Sequence, residues 1–181
     1  YIYTYHAPAI EKAELLAVTE IGEYAFAYCR DMTEVVLNDA ITELKPYTFA
    51  GCETLQVIDL SKVITVGDYA FIENHALQNV DLSSAETIGQ YAFVYGKALE
   101  SVKLNPNGCT LAEGAFTHCD VLKNVENMGA VTEIAGYVFS HTALEGADLT
   151  GAVSVGDYAF MKEELTPFTV VLGENLKVLG D

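Results

Sequence analysis

A six-residue motif recurs along the whole chain, and it restricts the fold more than any other feature of the sequence. Each copy has an apolar residue, usually Gly, a variable residue, usually Tyr, a small residue and Phe, as in Val66-Gly-Asp-Tyr-Ala-Phe71. The copies end at Phe26, Phe49, Phe71, Phe93, Phe116, Phe139 and Phe160. Successive Phe residues are 23, 22, 22, 23, 23 and 21 positions apart. A period of this length is typical of one short supersecondary unit per copy, stacked on its neighbours into a solenoid.

Each Phe is followed by a second pattern, Leu-x-x-Val-x-Leu, as in Leu77-Gln-Asn-Val-Asp-Leu82. Its last part alternates apolar and polar residues, which predicts a short strand with one buried face. The sixth copy has the pattern one residue early, at Leu144-Glu-Gly-Ala-Asp-Leu149, and Thr169-Val-Val-Leu172 fits the same position in the seventh. We therefore expect adjacent coils to pair these strands in parallel.

The Tyr-Ala-Phe part of the motif follows a different period. On a helical wheel Ala25, Cys29 and Met32 lie on one face, which predicts roughly one to two helical turns that depend on tertiary support. Gly67 and its equivalents follow the buried apolar residue, where a bare backbone can turn or approach the next coil. Each coil is thus predicted to contain a strand, a turn, a short helical stretch and a return.

Together these two patterns resemble the BspA-type leucine-rich repeats of bacterial cell-surface proteins. The resemblance extends over about residues 13–181, nearly the whole chain. Its most distinctive string, Ala-Phe-x-x-Cys, is present at Ala25-Phe-x-x-Cys29 and Ala115-Phe-x-x-Cys119. The chain departs from the pattern at Gly114, which replaces the Tyr, and at Asn127, which replaces the last Leu of a strand.

The resemblance implies an α/β repeat fold, a leucine-rich-repeat solenoid with a parallel β-sheet on the concave face and short helical or irregular segments on the convex side. It also implies a secreted or surface-anchored bacterial protein, extracellular or at the cell surface, that uses the curved solenoid for adhesion or protein binding. Residues 1–12 are interpreted as an N-terminal lead-in and residues 13–181 as one solenoid of about seven 21–23-residue repeats. Because Leu179-Gly-Asp181 matches Val66-Gly-Asp68, the solenoid is expected to be truncated in an eighth repeat of a longer protein.

Charge and hydropathy narrow the classes of partner. The chain has 9 basic and 26 acidic side chains, which give a formal net charge of −17. Nucleic acids and anionic membrane surfaces are repelled by such a field, so neither is expected as a partner. No apolar run approaches the ~18 residues of a membrane-spanning helix, so no membrane insertion is expected. The same charge also favours solubility, which requires no partner at all.

The predicted ligand-binding surface is the outward side of the strands. Between the last two apolar positions of each strand lies a column of residues: Glu14, Val36, Asp59, Asp81, Lys103, Glu126, Asp148 and Val171. Like charges that face each other across a sheet are destabilising, so Asp59 beside Asp81 opposes stability, and so does Glu126 beside Asp148. Lys103 lies between the two acidic pairs and is expected to relieve both.

We predict that a ligand is held on the concave face by Asp59, Asp81, Lys103, Glu126, Asp148, Asn79, Ser101 and Asn124. The expected ligand is a protein of the host or the extracellular matrix. A solvated acidic face without a ligand is an alternative interpretation, because charge runs commonly serve solvation. A structural spacer within a longer surface protein is another. Glycan binding is the third, and it rests on the Asn and Ser columns and on Tyr28 and Tyr95, whose column varies between copies.

No sequence pattern indicates catalysis, a metal or a cofactor, and we expect a non-enzymatic protein without catalytic residues. The nucleophile-elbow, zincin and phosphate-loop motifs are absent from the sequence. A cation bridging Asp59 and Asp81 lacks the oxygen ligands that calcium needs, and His118 with His141 lacks a carboxylate or Cys partner. The recurring Tyr residues are attributed to packing between coils. The four cysteines are expected to be reduced, with three of them buried.

Overall fold

The computed structural model describes residues 9–163 and 166–181 as a solenoid of parallel strands. Its strands, in chain order, are β1 (Lys12–Leu15), β2 (Glu34–Leu37), β3 (Glu43–Leu44), β4 (Val57–Ile58), β5 (Thr65–Val66), β6 (Asn79–Asp81), β7 (Thr87–Ile88), β8 (Ser101–Lys103), β9 (Thr110–Leu111), β10 (Asn124–Glu126), β11 (Glu133–Ile134), β12 (Gly146–Leu149), β13 (Ser154–Val155), β14 (Thr169–Leu172) and β15 (Val178–Leu179). A 3₁₀ helix, η1 (Met128–Ala130), lies between β10 and β11. Residues 1–8, which make up most of the predicted lead-in, lie outside the described residues, as do residues 164–165.

The strands form two faces of the solenoid. The first strand face consists of three parallel sheets, in the orders β1-β2-β4, β6-β8-β10 and β12-β14. The second strand face is one seven-stranded parallel sheet with the order β3-β5-β7-β9-β11-β13-β15. The first strand face confirms the strands predicted from Leu-x-x-Val-x-Leu, and their inward residues, such as Val80 and Val102, are buried. The parallel leucine-rich-repeat solenoid predicted from the sequence is therefore confirmed.

The sequence interpretation missed the second strand face. Its strands are the two residues before the motif's Gly position, and in β5 and β7 Thr65 pairs with Thr87 and Val66 with Ile88. Val66 and Ile88 are fully buried. A signal was present, because Ile64-Thr-Val66 is a run of β-branched residues, which are enriched in strands. Two residues are too few to show an alternation, however, so the run was interpreted only as a buried position.

A stack of phenylalanine rings runs through the core. Phe49, Phe71, Phe116 and Phe139 are fully buried. Neighbouring rings in the column from Phe26 to Phe160 stack with their centroids 5.0–5.6 Å apart. Burial of one Phe side chain contributes roughly 1.5–3 kcal/mol. Because each ring contacts the coils on both sides, every coil depends on its neighbours.

The segment that follows the motif's Gly position is a run of turns, which corrects the predicted helical stretch. In the third copy the N–H of Ala70 donates to the Gly67 carbonyl of its own coil, whereas the N–H of Phe71 donates to the Ala92 carbonyl of the next coil at 2.7 Å. Tyr69 has a φ of +55°, a left-handed conformation through which an α-helix does not continue. Hydrogen bonds between coils therefore replace those of a helix. Among the described residues, no helix is long and apolar enough to cross a membrane.

Candidate binding surfaces

The first strand face brings the central residues of the predicted site together. Asp81, Lys103 and Glu126 lie side by side on β6, β8 and β10. The Lys103 Nζ atom lies 3.1 Å from Asp81 Oδ2. No ion pair joins Lys103 to Glu126 in the part of the chain that the structure describes. Lys103 thus pairs with one acidic neighbour, whereas the sequence interpretation had it relieving the acidic pairs on both sides.

The aspartates of this column also stabilise the turns that follow their strands. The Asp59 carboxylate accepts a hydrogen bond from the backbone N–H of Ser61 at 2.9 Å, and Asp148 accepts one from the N–H of Thr150 at 3.0 Å. Hydrogen bonds from the Ser61 hydroxyl and backbone N–H lower the pKa of Asp59 below its ordinary value. Partial burial and the charge of Asp81 act in the opposite direction but are outweighed. These turn contacts give each aspartate a structural role and leave its negative charge in place.

The first strand face is interrupted at two places, and both coincide with the acidic pairs. β4 and β6 do not pair with each other, and this is the boundary between Asp59 and Asp81 in the column. β10 and β12 do not pair either, and this is the boundary between Glu126 and Asp148. Strands elsewhere on this face pair in register across each coil boundary. The repulsion expected from like charges in neighbouring strands therefore falls at the two interruptions.

A cleft of about 500 Å³ lies at the second interruption. Its lining consists of Lys123, Asn124, Val125, Asn127, Met128, Gly129, Ala130, Leu144, Gly146, Asp148 and Thr150. Asn127 has a φ of +63° and ends the strand pattern, so the chain turns into η1. A Cβ on Gly129 would lie 2.5 Å from Asp148 Oδ2, so glycine permits this close approach. Of the predicted site, Asn124 and Asp148 line the cleft.

The remaining polar residues of the predicted site lie beside the acidic column. Asn79, Ser101 and Asn124 are in register on β6, β8 and β10. The Ser101 hydroxyl donates to the Asn79 side-chain oxygen at 2.6 Å. Asn79 and Asn124 are exposed, which leaves amide groups available to a ligand. Six of the eight predicted residues therefore lie side by side on β6, β8 and β10, and the two interruptions separate Asp59 and Asp148 from them.

The lysines of the first strand face are matched by carboxylates. Lys12 lies 3.0 Å from Glu34, and Lys123 lies 2.9 Å from Glu100. These pairs are solvent-exposed, so each contributes little to stability, on the order of 0–1 kcal/mol. Lys103 on β8 is engaged by Asp81. Lys12 on β1, Lys103 and Lys123, which directly precedes β10, are thus each paired, and the surplus charge of the face is negative.

The convex side of the solenoid presents a ladder of tyrosine rings. The rings of Tyr24, Tyr47, Tyr69 and Tyr91 stack with centroids 4.6, 4.9 and 5.4 Å apart. Tyr137 and Tyr158 continue the ladder with centroids 5.3 Å apart. Between Tyr91 and Tyr137 the ladder is interrupted at Gly114. Packing between coils, as expected from the sequence, explains the ladder, and the gap is its one departure among the seven motifs.

A groove of about 460 Å³ runs beside the ladder gap, and we call it the convex groove. Its lining consists of Tyr69, Ile72, Tyr91, Val94, Tyr95, Thr117, His118, Tyr137, Ser140, His141 and Met161. One wall is the tyrosine ladder, and the other is the variable column that contains Tyr95, His118 and His141. Sequence reasoning singled out Tyr95 but placed it with Tyr28, which lies outside this groove.

The variable column is a second aromatic stack. Tyr95 stacks on His118 at 5.1 Å and His118 on His141 at 4.2 Å between ring centroids. Burial lowers the pKa of His118, and the neighbouring His141 adds to this. His141 Nδ1 lies 3.6 Å from a Glu163 oxygen. No group of three or more His, Cys, Asp or Glu side chains that could hold a metal ion is found within residues 9–163 and 166–181.

The cysteines have a structural explanation. Three residues after Phe49 and Phe116, the Cys52 thiol donates a hydrogen bond to the Phe26 carbonyl at 3.1 Å and the Cys119 thiol to the Phe93 carbonyl at 3.2 Å. All four cysteines are free thiols. Burial raises the pKa of Cys119 to about 12, so its thiol stays protonated and unreactive.

A family model described as a BspA type leucine rich repeat region matches the chain in six copies, over residues 19–145 and 86–181. A leucine-rich repeat protein from Bacteroides ovatus ATCC 8483 has a similar structure, with a TM-score of 0.66 and 22% identity over 94% of this chain and 51% of that one. A leucine-rich repeat protein from Eubacterium ventriosum ATCC 27560 gives a TM-score of 0.69 and 18% identity over 88% and 46%.

The leucine-rich repeat protein TpLRR of T. pallidum gives a TM-score of 0.62 and 21% identity, over 89% of this chain and 67% of that one. This chain therefore spans about half the length of the Bacteroides and Eubacterium proteins. No curated protein matches the chain. At these identities the likeness of the solved structures concerns the fold.

Proposed function

Because this chain belongs to the BspA-type leucine-rich repeat family, we propose that it is a non-catalytic binding module that holds a protein partner on its first strand face. The partner is a host or matrix protein with a basic surface. The encounter takes place outside the bacterial cell or at its surface, a location that follows from the family resemblance and is part of the proposal.

The observation that carries the proposal is the surplus of carboxylates on an exposed, polar sheet face. Lys103 is engaged by Asp81. Glu126 and Asp148 have no lysine or arginine partner among the described residues. Like charges that are left close together lower the stability of the free module. A basic partner would neutralise them, so binding would remove a cost that the free module bears.

The interruption between β10 and β12 supports the same face as the contact surface. The two strands do not pair there, and Asn124, Asp148 and Thr150 surround the cleft with hydrogen-bonding groups. A partner side chain that enters the cleft would meet polar groups, the Asp148 carboxylate and Lys123, whose charge is already matched by Glu100 at 2.9 Å. A basic side chain satisfies both requirements, because it carries several donors and a positive charge.

The test uses the full chain immobilised for interferometry against a panel of purified extracellular-matrix proteins. Two variants receive the same charge change, Asn124→Arg on the first strand face and Thr132→Arg on an exposed position away from it. We expect at least one saturable interaction that associates faster at low salt. Asn124→Arg should weaken it about tenfold, and Thr132→Arg should leave it within about twofold.

Equal effects of the two Arg substitutions would assign the binding to another surface of the chain. If no matrix protein is retained at low or physiological salt, the binding proposal fails and the structural spacer becomes the better explanation. A partner whose binding strengthens with added salt would contradict the basic-surface requirement, because screening weakens attraction between opposite charges.

A further inference from the structure

The gap in the tyrosine ladder removes a ring without changing the backbone. Gly114 has a φ of +61°, and the six ladder tyrosines have φ values between +52° and +59°. The coil at Gly114 therefore has the conformation in which its neighbours carry a tyrosine. Its N–H donates to the Gly136 carbonyl of the next coil at 3.0 Å, as the N–H of Tyr91 donates to Glu113 at 2.9 Å. What is missing at this position is only the side chain.

The rings on both sides of the gap each have a face without a stacking partner. Tyr91 stacks on Tyr69, and Tyr137 stacks on Tyr158. No stacking contact joins Tyr91 to Tyr137 among the described residues. The Tyr91 ring leans over Gly114, because a Cβ placed on Gly114 would lie 2.3 Å from its Cε1 atom, so this ring occupies part of the space that a tyrosine at 114 would fill.

A carboxylate fixes the edge of the leaning ring. The Tyr91 hydroxyl donates to Glu113 Oε1 at 2.8 Å. This hydrogen bond, together with burial, raises the pKa of Tyr91 to about 12, so the phenol keeps its proton. The Glu113 carboxylate has two oxygens with several lone pairs. It can therefore accept a further hydrogen bond from a ligand at the edge of the gap.

Polar side chains that follow Gly114 and Tyr137 in the chain form the floor and far wall of the convex groove. Thr117 and Ser140 are buried, and their hydroxyls bond to each other. His118 and His141 form the opposite wall as a stacked pair. The groove thus combines flat aromatic faces with imidazole and hydroxyl groups. The Glu113 carboxylate lies at its edge, on the hydroxyl of the groove residue Tyr91.

We propose that the convex groove binds a neutral oligosaccharide, with one pyranose ring stacked against the Tyr91 and Tyr137 rings where they line the groove on either side of Gly114. A pyranose has flat C–H faces that suit aromatic rings and hydroxyl groups around its edge. The hydroxyls of the inserted sugar bond to Glu113 and to the imidazole of His118. This site lies on a different surface from the first strand face, so the proposal is independent of the protein-binding function.

The charge of the groove selects a neutral sugar. Glu113 lies at the gap, and Glu163 lies 3.6 Å from His141. Lys97, which lies 5.4 Å from the centre of the Tyr95 ring, is engaged by Asp120 at 2.6 Å. Lys162, next to the groove residue Met161, donates to the Leu144 carbonyl. Burial keeps the pKa of His118 below its ordinary value, so its imidazole is neutral at pH 7. A sulfated or uronic-acid polymer would meet carboxylates without a free cation, and the net charge of −17 would repel it.

The experiment measures binding of defined oligosaccharides to the full chain. The neutral probes are the hexaoses of cellulose, xylan, mannan and chitin, and the acidic probes are heparin and polygalacturonate. Tyrosine fluorescence reports ring stacking directly, because the chain has 11 Tyr and no Trp. We expect saturable binding of at least one neutral hexaose and none of the acidic polymers.

Two variants of the gap and one control locate the site. Gly114→Tyr adds a ring in the backbone conformation that the ladder already uses and displaces the Tyr91 ring that leans over Gly114. It should weaken binding at least about tenfold. Tyr137→Asn removes the far ring and keeps a residue that tolerates the left-handed conformation, with the same loss expected. Gly51→Tyr adds a tyrosine at a φ of +67° outside the convex groove, and binding should stay within about twofold of wild type.

Each outcome decides the proposal. Binding that survives both Gly114→Tyr and Tyr137→Asn overturns it, and so does the absence of binding by every neutral probe. If Gly114→Tyr does not fold, Tyr137→Asn decides alone. Binding of only the acidic polymers contradicts the charge argument. A Phe- or Trp-containing peptide that binds in the gap while the hexaoses do not would assign the groove to a protein side chain and reject the sugar.

Discussion

The third copy of the repeat, residues 66–82, and the fifth copy, residues 111–127, have the same architecture and differ in what they expose. The third copy has Tyr69 in the ladder and ends its strand pattern with the buried Leu82. The fifth copy has Gly114 in the ladder and Asn127 at the end of its strand pattern. Gly114 leaves the ladder gap beside the convex groove, and Asn127 lines the cleft beside β10.

The comparison shows how a repeat array acquires a site. A residue that recurs in every copy is held by stacking on its neighbours, so it cannot distinguish one coil from another. A departure changes the surface while the backbone of its neighbours stays regular, as it does at Tyr91 and Tyr137 on either side of Gly114. The fifth copy is therefore a place where the scaffold stays intact while the surface changes.

The largest expected effect tests whether the core of the fifth copy is as regular as that of the third. Phe71 and Phe116 are both fully buried, and each stacks on Phe93, with centroids at 5.0 and 5.2 Å. Substitution of either by Ala should lower the free energy of unfolding by about 3–5 kcal/mol. Chemical denaturation followed by circular dichroism measures both variants.

The exposed Lys62→Ala substitution is the control, and it should change the free energy of unfolding by less than about 0.5 kcal/mol. Equal losses for the two Phe variants would show that the departures of the fifth copy stay at the surface. A loss at Phe116 well below that at Phe71 would show that the departures reach the core, and the comparison between the copies would no longer hold.

The second effect concerns Asn127, where a return to the repeat pattern should be harmful. Asn127 adopts a φ of +63°, its side chain donates to the Leu104 carbonyl at 2.8 Å, and the next residue, Met128, is buried. Asn127→Leu loses this hydrogen bond and places a branched residue in the left-handed conformation. The expected loss is about 2 kcal/mol in the free energy of unfolding.

Asn127→Gly separates the two causes, because glycine accepts the conformation but cannot donate the hydrogen bond. Its loss should be about half that of Asn127→Leu, on the order of 1 kcal/mol. A stabilised Asn127→Leu protein would mean that the fifth strand can accept the ordinary pattern. The cleft would then be a consequence of that one residue and not of the local backbone.

The strands of the first face, the phenylalanine core and the tyrosine ladder followed from the sequence because each recurs at a fixed position. The second strand face did not, since strands such as Thr65–Val66 are too short to show a period. The turns after the motif's Gly position were not predictable either, because the left-handed conformation of Tyr69 is imposed by hydrogen bonds to the next coil. Tyrosine on its own has no preference for that conformation.

The binding surfaces were predictable to different degrees. The acidic column followed from period-two alternation, and its members Asp81, Lys103 and Glu126 lie in register on neighbouring strands. Gly114 was recognised as a departure from the pattern. That it opens the ladder beside Thr117 and His118 depends on the spacing between coils, which the sequence does not contain. The cleft required the turn at Asn127 and the approach of Asp148 to Gly129, both of which are tertiary features.

The smallest expected effect compares the donor that follows Phe in each copy. In the fifth copy the Cys119 thiol donates to the Phe93 carbonyl, and in the third copy the Asn74 side chain donates to the Phe49 carbonyl at 2.8 Å. The Asn74 Oδ1 atom is buried and has no hydrogen-bond partner among the described residues. Asn74→Cys keeps a donor and removes the unpaired oxygen, so it should raise the free energy of unfolding by about 1 kcal/mol. The reverse substitution, Cys119→Asn, should lower it by a similar amount, and thermal denaturation of the two variants side by side measures the difference. If both substitutions destabilise equally, each copy is packed around its own donor, and the two positions are not equivalent.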